Sequence, residues 1–184
     1  VIGMNGVLRP TDAPSSSFSE QSLQGQKPGK LLHYLLLPLL FITFSCPLFS
    51  QKVDDKTIEQ IVQYGGTLGI PGELVLRLIH EESRGYADAV SPLTSEGYSS
   101  KGLLQIYDRP SNINYLLSKY WKEPYEFDVF NPLHNATLGL QYLAALRRAY
   151  GSWIRALWFY NCGRLEDVPE HTQVYALRIV GGIE

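Results

Sequence analysis

The chain has 184 residues, 45% hydrophobic and 18% charged, which suits one ordinary domain plus a tail and is too apolar for a disordered chain and too polar for a multispanning membrane protein. Sixteen Lys and Arg against 18 Asp and Glu give a net charge of −2, so there is no electrostatic footprint for nucleic acid. Two cysteines are too few for a disulfide scaffold, a four-cysteine zinc site or an iron–sulfur centre.

Residues 1–30 are rich in Ser, Gln, Pro and Gly without apolar periodicity, and are expected to be a disordered leader. Residues 31–50, LLHYLLLPLLFITFSCPLFS, form the one long apolar run, preceded by Lys27 and Lys30. Its clean stretch from Tyr34 to Phe44 has the length of a signal-peptide core and falls short of the ~20 residues of a spanning helix. Three readings stand: a cleaved signal peptide, an uncleaved N-terminal anchor, or a lipoprotein signal with Cys46 as the acylated residue after small Ser45. A buried core helix is disfavoured by the basic flank and the unstructured leader.

Residues 51–184 read as one helical domain. Asp54 and Asp55 cap a helix through about Tyr64, with Ile58, Ile61 and Val62 as its stripe and Gly65-Gly66 as its stop. Pro71 opens a helix to about Ser83, and a loop follows over 85–101. Further helices are expected over 112–121, from Asn131-Pro132 to Ala149, from Ser152 to about Asn161, and from Pro169 to about Val180. No strand-like alternation runs beyond four or five residues, and no long repeat is apparent.

The helix after Pro71 carries the chemistry. At 100° per residue with Leu74 at zero, Leu78, Val75 and Ile79 fall at about 40°, 100° and 140°. Glu82 falls at about 80°, inside that apolar stripe, whereas Glu81 falls at about 340°, at its edge, four residues after Arg77, an ordinary surface pairing. Burial and the negative end of the helix dipole both disfavour the Glu82 carboxylate and raise its pKa, as a general acid requires. The bland alternative is a frayed or Arg-paired Glu82.

Other signals are weaker. His80-Glu81 starts a zinc HExxH pattern, but Arg84 stands where the second His belongs. Gly66, Gly69 and Gly72 follow no strand, so a phosphate loop is rejected. Cys162 reads as a small buried thiol, and Asn135-Ala136-Thr137 as a chance glycosylation sequon within a helix.

Several motifs follow one another in order: Glu82-Ser83, Val90-Ser91-Pro92, Gly102-Leu103-Leu104-Gln105, Asn135 to Gly139, Tyr160-Asn161-Cys162-Gly163, and Tyr175. This order closely resembles the soluble-lytic-transglycosylase (SLT) catalytic domain, a relative of goose-type lysozyme, over about residues 68–180. The resemblance implies an all-α, lysozyme-like fold with a glycan-binding cleft, an exported periplasmic or envelope enzyme without a cofactor, and peptidoglycan strands as its partner. Membrane attachment through the N-terminal segment is a further expectation. By the same match Glu82 is the single acid/base. It protonates the bond between N-acetylmuramic acid and N-acetylglucosamine, then takes the proton of the muramoyl 6-hydroxyl as a 1,6-anhydro ring closes. Ser83 and Gln105 would orient the sugar or the acid. Tyr160 would approach Glu82 and the developing oxocarbenium ion, Asn161 would support the cleft wall, and Tyr175 would line it.

The sequence departs from the family pattern in the nine residues LTSEGYSSK between Pro92 and Gly102, in Leu104 for Met, and in Phe159 and Cys162 for Ala. It also separates the usual Glu-Thr pair as Glu170-His171-Thr172. Two other functions stay open: a hydrolytic muramidase, with Asp88 or Asp108 as the second carboxylate, and a non-catalytic wall-binding module on the same fold.

Overall fold

The structure is a computed structural model and describes Ser50 and residues 52–181. The leader, most of the apolar run and Cys46 lie outside the described residues. Within them are six helices and one short hairpin, an all-α architecture. No helix of the described residues is long and apolar enough to cross a membrane.

Helix α1 spans Asp55–Thr67, and Asp54 caps it by accepting from the Thr57 amide at 3.0 Å and its hydroxyl at 2.8 Å. It does not stop at Gly65-Gly66. A Cβ on Gly65 would lie 2.7 Å from Val75 Cγ2, so this glycine permits close helix packing instead of ending the helix. Helix α2, Gly72–Ser83, buries Leu74, Val75, Leu78, Ile79 and Glu82, the face given by helical periodicity. Arg77 pairs with Glu73 and not with Glu81. Acid-before-base is the better order at i,i+4, and Glu81 is drawn to another helix.

Strands β1, Ser100–Lys101, and β2, Ile106–Tyr107, pair antiparallel with Ser100 opposite Tyr107. Two residues each are too few to show alternation in sequence. Helix α3 spans Pro110–Tyr120 and starts two residues before the expected position, with its proline in the first turn. Helix α4, Pro132–Tyr150, begins under an Asn131 cap and ends at left-handed Gly151. It is the central element, touching α1, α3 and α5, Trp153–Cys162. The last helix, α6, Glu170–Val180, packs on α5 and α2 and closes the arrangement.

The β1–β2 turn, Gly102 to Gln105, is held from within. Asn135 of α4 is fully buried; its Oδ1 accepts from Leu104 N at 2.7 Å, and its Nδ2 donates to the Lys101 and Val129 carbonyls at 3.0 and 2.9 Å. A Cβ on Gly102 (φ 79°) would come within 2.2 Å of that side chain, so only glycine fits. The burial of Asn135 also removes it as a glycosylation acceptor in the folded domain.

Asn135→Ala would take this partner from the buried Leu104 amide and from the part-buried Lys101 and Val129 carbonyls. A loss of about 3 kcal/mol in urea unfolding is expected, against about 1 kcal/mol for the capping change Asn131→Ala. Equal losses would mean that the turn does not depend on Asn135.

Candidate active site

A cleft of about 420 Å³ opens at the C-terminal end of α2. Its walls come from residues 89–92, Gln105, the end of α5 and one face of α6. Five of the residues singled out by sequence line it: Glu82, Ser83, Gln105, Asn161 and Tyr175.

Glu82 is 6% exposed and lies in the last turn of α2. The Tyr175 hydroxyl donates to its Oε1. Burial is the largest influence on its pKa and raises it to about 7; the Tyr175 bond works the other way by favouring the anion, and nearby Glu81 adds to the rise. Tyr175 itself is held protonated well above the usual phenol range by its own burial and the adjoining carboxylate. The pair is therefore a carboxyl poised near neutrality beside a fixed donor.

Ser83 and Gln105 are tied to backbone, and Asn161 to the side chain of a neighbouring helix. Ser83 Oγ donates to Ile79 O and accepts from Gly85 N, both at 3.2 Å, and so finishes the helix end that presents Glu82. Gln105 adopts a left-handed φ of 51°, and its Nε2 donates to Ala89 O at 3.1 Å and Gly102 O at 2.9 Å. Asn161 Oδ1 accepts from Thr172 Oγ1 at 2.7 Å, which joins α5 to α6 beside the cleft.

Tyr160 sits elsewhere. It is 1% exposed, is not part of the lining, and its hydroxyl donates to Leu104 O at 2.8 Å. The expected contact from this hydroxyl to the acid is made by Tyr175 instead. Burial, and then the charge of Glu82, push the Tyr160 phenol well up. Cys162 is half-buried, with Sγ 3.6 Å from Arg164 O.

Glu81 lines the same cleft and is engaged by Arg178 at 2.9 and 3.0 Å. Asp88 and Asp108 are outside the lining. Asp88 accepts from Ser50 Oγ at 2.7 Å. Asp108 pairs with Lys101 at 2.7 Å in a second cavity of about 730 Å³, and it is held below the ordinary carboxylate range despite partial burial. Ser91, Arg84 and Arg178 are among the lining residues to which sequence reasoning gave no role. Ser91 Oγ accepts from Ser100 N at 2.8 Å, and its motif was the available signal. Arg84 and Arg178 had no signal beyond their charge. Among the described residues, no group of three or more His, Cys, Asp or Glu could hold a metal.

Comparison with protein-family models matches the Transglycosylase SLT domain over residues 59–178. The chain belongs to that family. Neither the curated proteins nor the solved structures give a match. The matched span of this SLT domain runs from α1 to α6 and contains every residue of the cleft lining. Membership makes it a transglycosylase-type domain that acts on peptidoglycan.

The raised pKa of Glu82 has a consequence for stability. Between its ordinary value of 4.5 and about 7, the folded state keeps a proton that the unfolded chain releases. Stability therefore falls as pH rises through that window, by up to about 3 kcal/mol. In urea unfolding, Glu82→Gln should lose this slope and gain on the wild type as pH rises. Parallel pH profiles for the two proteins would show that Glu82 ionises freely.

Proposed function

We propose that this SLT domain is a lytic transglycosylase that cleaves the MurNAc-GlcNAc β-1,4 bond with Glu82 as its single general acid/base. The observation that carries the reading is the cleft's carboxyl inventory. One carboxyl, Glu82, is buried, has its pKa raised to about 7 and is bonded to Tyr175, while the other, Glu81, is committed to Arg178. Ordinary glycosidases need two independent carboxylates, one of them to activate water or to attack. An internal nucleophile needs only one.

In the proposed cycle protonated Glu82 gives its proton to the glycosidic oxygen as the bond breaks. The anion left behind is stabilised by the Tyr175 hydroxyl and faces the positive charge growing on the muramoyl ring. It then takes the proton of the muramoyl 6-hydroxyl, whose oxygen closes on C1. The hydroxyl and C1 belong to one sugar, so ring closure gains the advantage of an intramolecular reaction over attack by water. Gln105, Ser83 and Asn161 form a cleft wall whose polar atoms are fixed to backbone or to a neighbouring helix, and the sugar is oriented against it. Tyr160 acts from behind by fixing the Leu104 carbonyl and, with it, the turn that carries Gln105.

Digestion of purified glycan strands followed by mass spectrometry tests this. Wild type should leave 1,6-anhydro ends, Glu82→Gln should leave none, and Glu81→Gln should keep most turnover. Tyr175→Phe should cut the rate by about 10²-fold. Tyr160→Phe should cost about 1 kcal/mol of stability and far less rate. Reducing ends would instead support a muramidase, and strand binding without cleavage by wild type a wall-binding module.

The apolar segment 31–50 would direct the chain to the cell envelope, by cleavage, as an anchor or through acylation of Cys46. Fatty-acid labelling that disappears in Cys46→Ser is the expected outcome of the lipoprotein route. A chain found soluble in the cytoplasm with residues 31–50 still attached would defeat export altogether.

A further inference from the structure

Arg84 follows Ser83 directly at the end of α2 and holds a left-handed backbone, φ 59° and ψ 17°. Glycine is the favoured residue at this cap position, and an L-residue costs about 1 kcal/mol or more there. Backbone stability alone therefore speaks against arginine. Its side chain is exposed and lines the cleft two residues from Glu82. The guanidinium meets His80 Nε2 at 3.1 Å, and no carboxylate pairs with it among the described residues. The cleft's other arginine, Arg178, is already neutralised by Glu81, and Glu82 bonds to Tyr175 and not to Arg84. A single uncompensated positive charge thus stands beside the acid, on a chain whose net charge is −2.

We propose that Arg84 is a specificity residue that binds a carboxylate carried on the 3-O-lactyl substituent of a muramoyl sugar. This rests on the transglycosylase reading of the same cleft. If Glu82 protonates the oxygen leaving a muramoyl C1, a muramoyl unit is seated next to it. That is the one sugar of the strand with an anionic arm. A guanidinium presents a planar fork of donors that matches a carboxylate in two parallel bonds, whereas neutral N-acetylglucosamine offers it nothing equivalent. The carboxylate has two sources with the same chemistry: the lactyl acid itself on peptide-free strands, or an acid of the attached peptide stem.

The test uses four substrates: peptide-free and peptide-bearing glycan strands, each with its carboxylates intact or converted to neutral methylamides. Wild type should show a KM about 10-fold or more higher on neutralised strands than on the intact strands of the recognised kind. Arg84→Gly relieves the backbone strain, so its melting temperature should equal or exceed that of wild type. It should nevertheless close the KM gap between intact and neutralised strands, with the loss on the intact ones. Arg84→Lys should restore part of the gap. Arg148→Gln, which removes the same charge at an exposed site outside the lining, should leave the gap as it is. A gap confined to peptide-free strands assigns the lactyl acid, and one confined to peptide-bearing strands assigns the stem. Equal KM values for wild type on intact and neutralised strands, or a gap that survives in Arg84→Gly, would overturn the assignment. If wild type turns over no strand, the transglycosylase reading fails, and dissociation constants for the same four strands then decide the carboxylate question.

Discussion

The three hydrogen bonds of buried Asn135 hold together two parts of the domain that the chain keeps apart. The side chain belongs to α4, yet its partners are Leu104 N, Lys101 O and Val129 O. A tight turn of two short strands cannot be stable by itself, because its few ladder bonds do not repay the ordering of its backbone. Here the turn buries Leu103 and Leu104 completely and receives its missing polar partners from a helix that is already fixed. Tyr160 adds a bond from α5 to Leu104 O. Gly139, one turn after Asn135 on α4, leaves the space that Leu104 and the Tyr160 hydroxyl occupy. Gln105 inherits its position from this lock, and so does the cleft wall it forms.

Glu82 depends on the opposite kind of arrangement. It is buried at the negative end of a helix with one neutral donor, and both burial and the helix terminus oppose its ionisation. A structural role would be better served by an amide or an apolar side chain at this place. The cost is tolerable because α2 is anchored on both sides: its apolar face packs on α1, and α6 crosses it with Tyr175 and Arg178. Those two residues of α6 divide the adjacent glutamates between them. Tyr175 leaves Glu82 able to carry a proton, and Arg178 fixes Glu81 as an anion partner.

Much of this was legible in sequence because it depends on neighbours within one helix. The Asp54 and Asn131 caps, the Pro132 start and the Gly151 stop all act within a turn of their own position. The inward face of Glu82 follows from the 3.6-residue period alone. Contacts between distant segments were not legible. Tyr175 meets Glu82 across 93 residues and Arg178 meets Glu81 across 97, and no local pattern says which of several tyrosines or arginines a given glutamate will find. Tyr160 shows the same limit: helical spacing turns it inward correctly, but its hydroxyl bonds Leu104 O, and the hydroxyl bonded to Glu82 is that of Tyr175. Gly65 failed similarly, since a glycine that ends a helix and one that lets two helices touch look alike until the second helix is in place.

The nine residues after Pro92 show how a local departure can be absorbed without disturbing the acid. The first of them form a built loop, with Thr94 N on Tyr98 O at 2.7 Å and Gly97 N on Thr94 O at 2.9 Å, and the last two, Ser100 and Lys101, are β1. Tyr98 packs edge-on against Tyr107, Thr94 Oγ1 lies 3.2 Å from the Tyr107 hydroxyl, and Arg109 reaches Glu96 at 3.2 Å. The last three of these ties end on β2 or just beyond it, next to the turn that Asn135 locks. Val90 and Pro92, at the root of the loop, line the cleft, whereas Leu93 beyond them is 70% exposed. The loop therefore rests on the same anchored hairpin that positions Gln105, while Glu82 and Tyr175 are held by α2 and α6. The rim and the acid are mechanically separate, because each is fixed to a different part of the core.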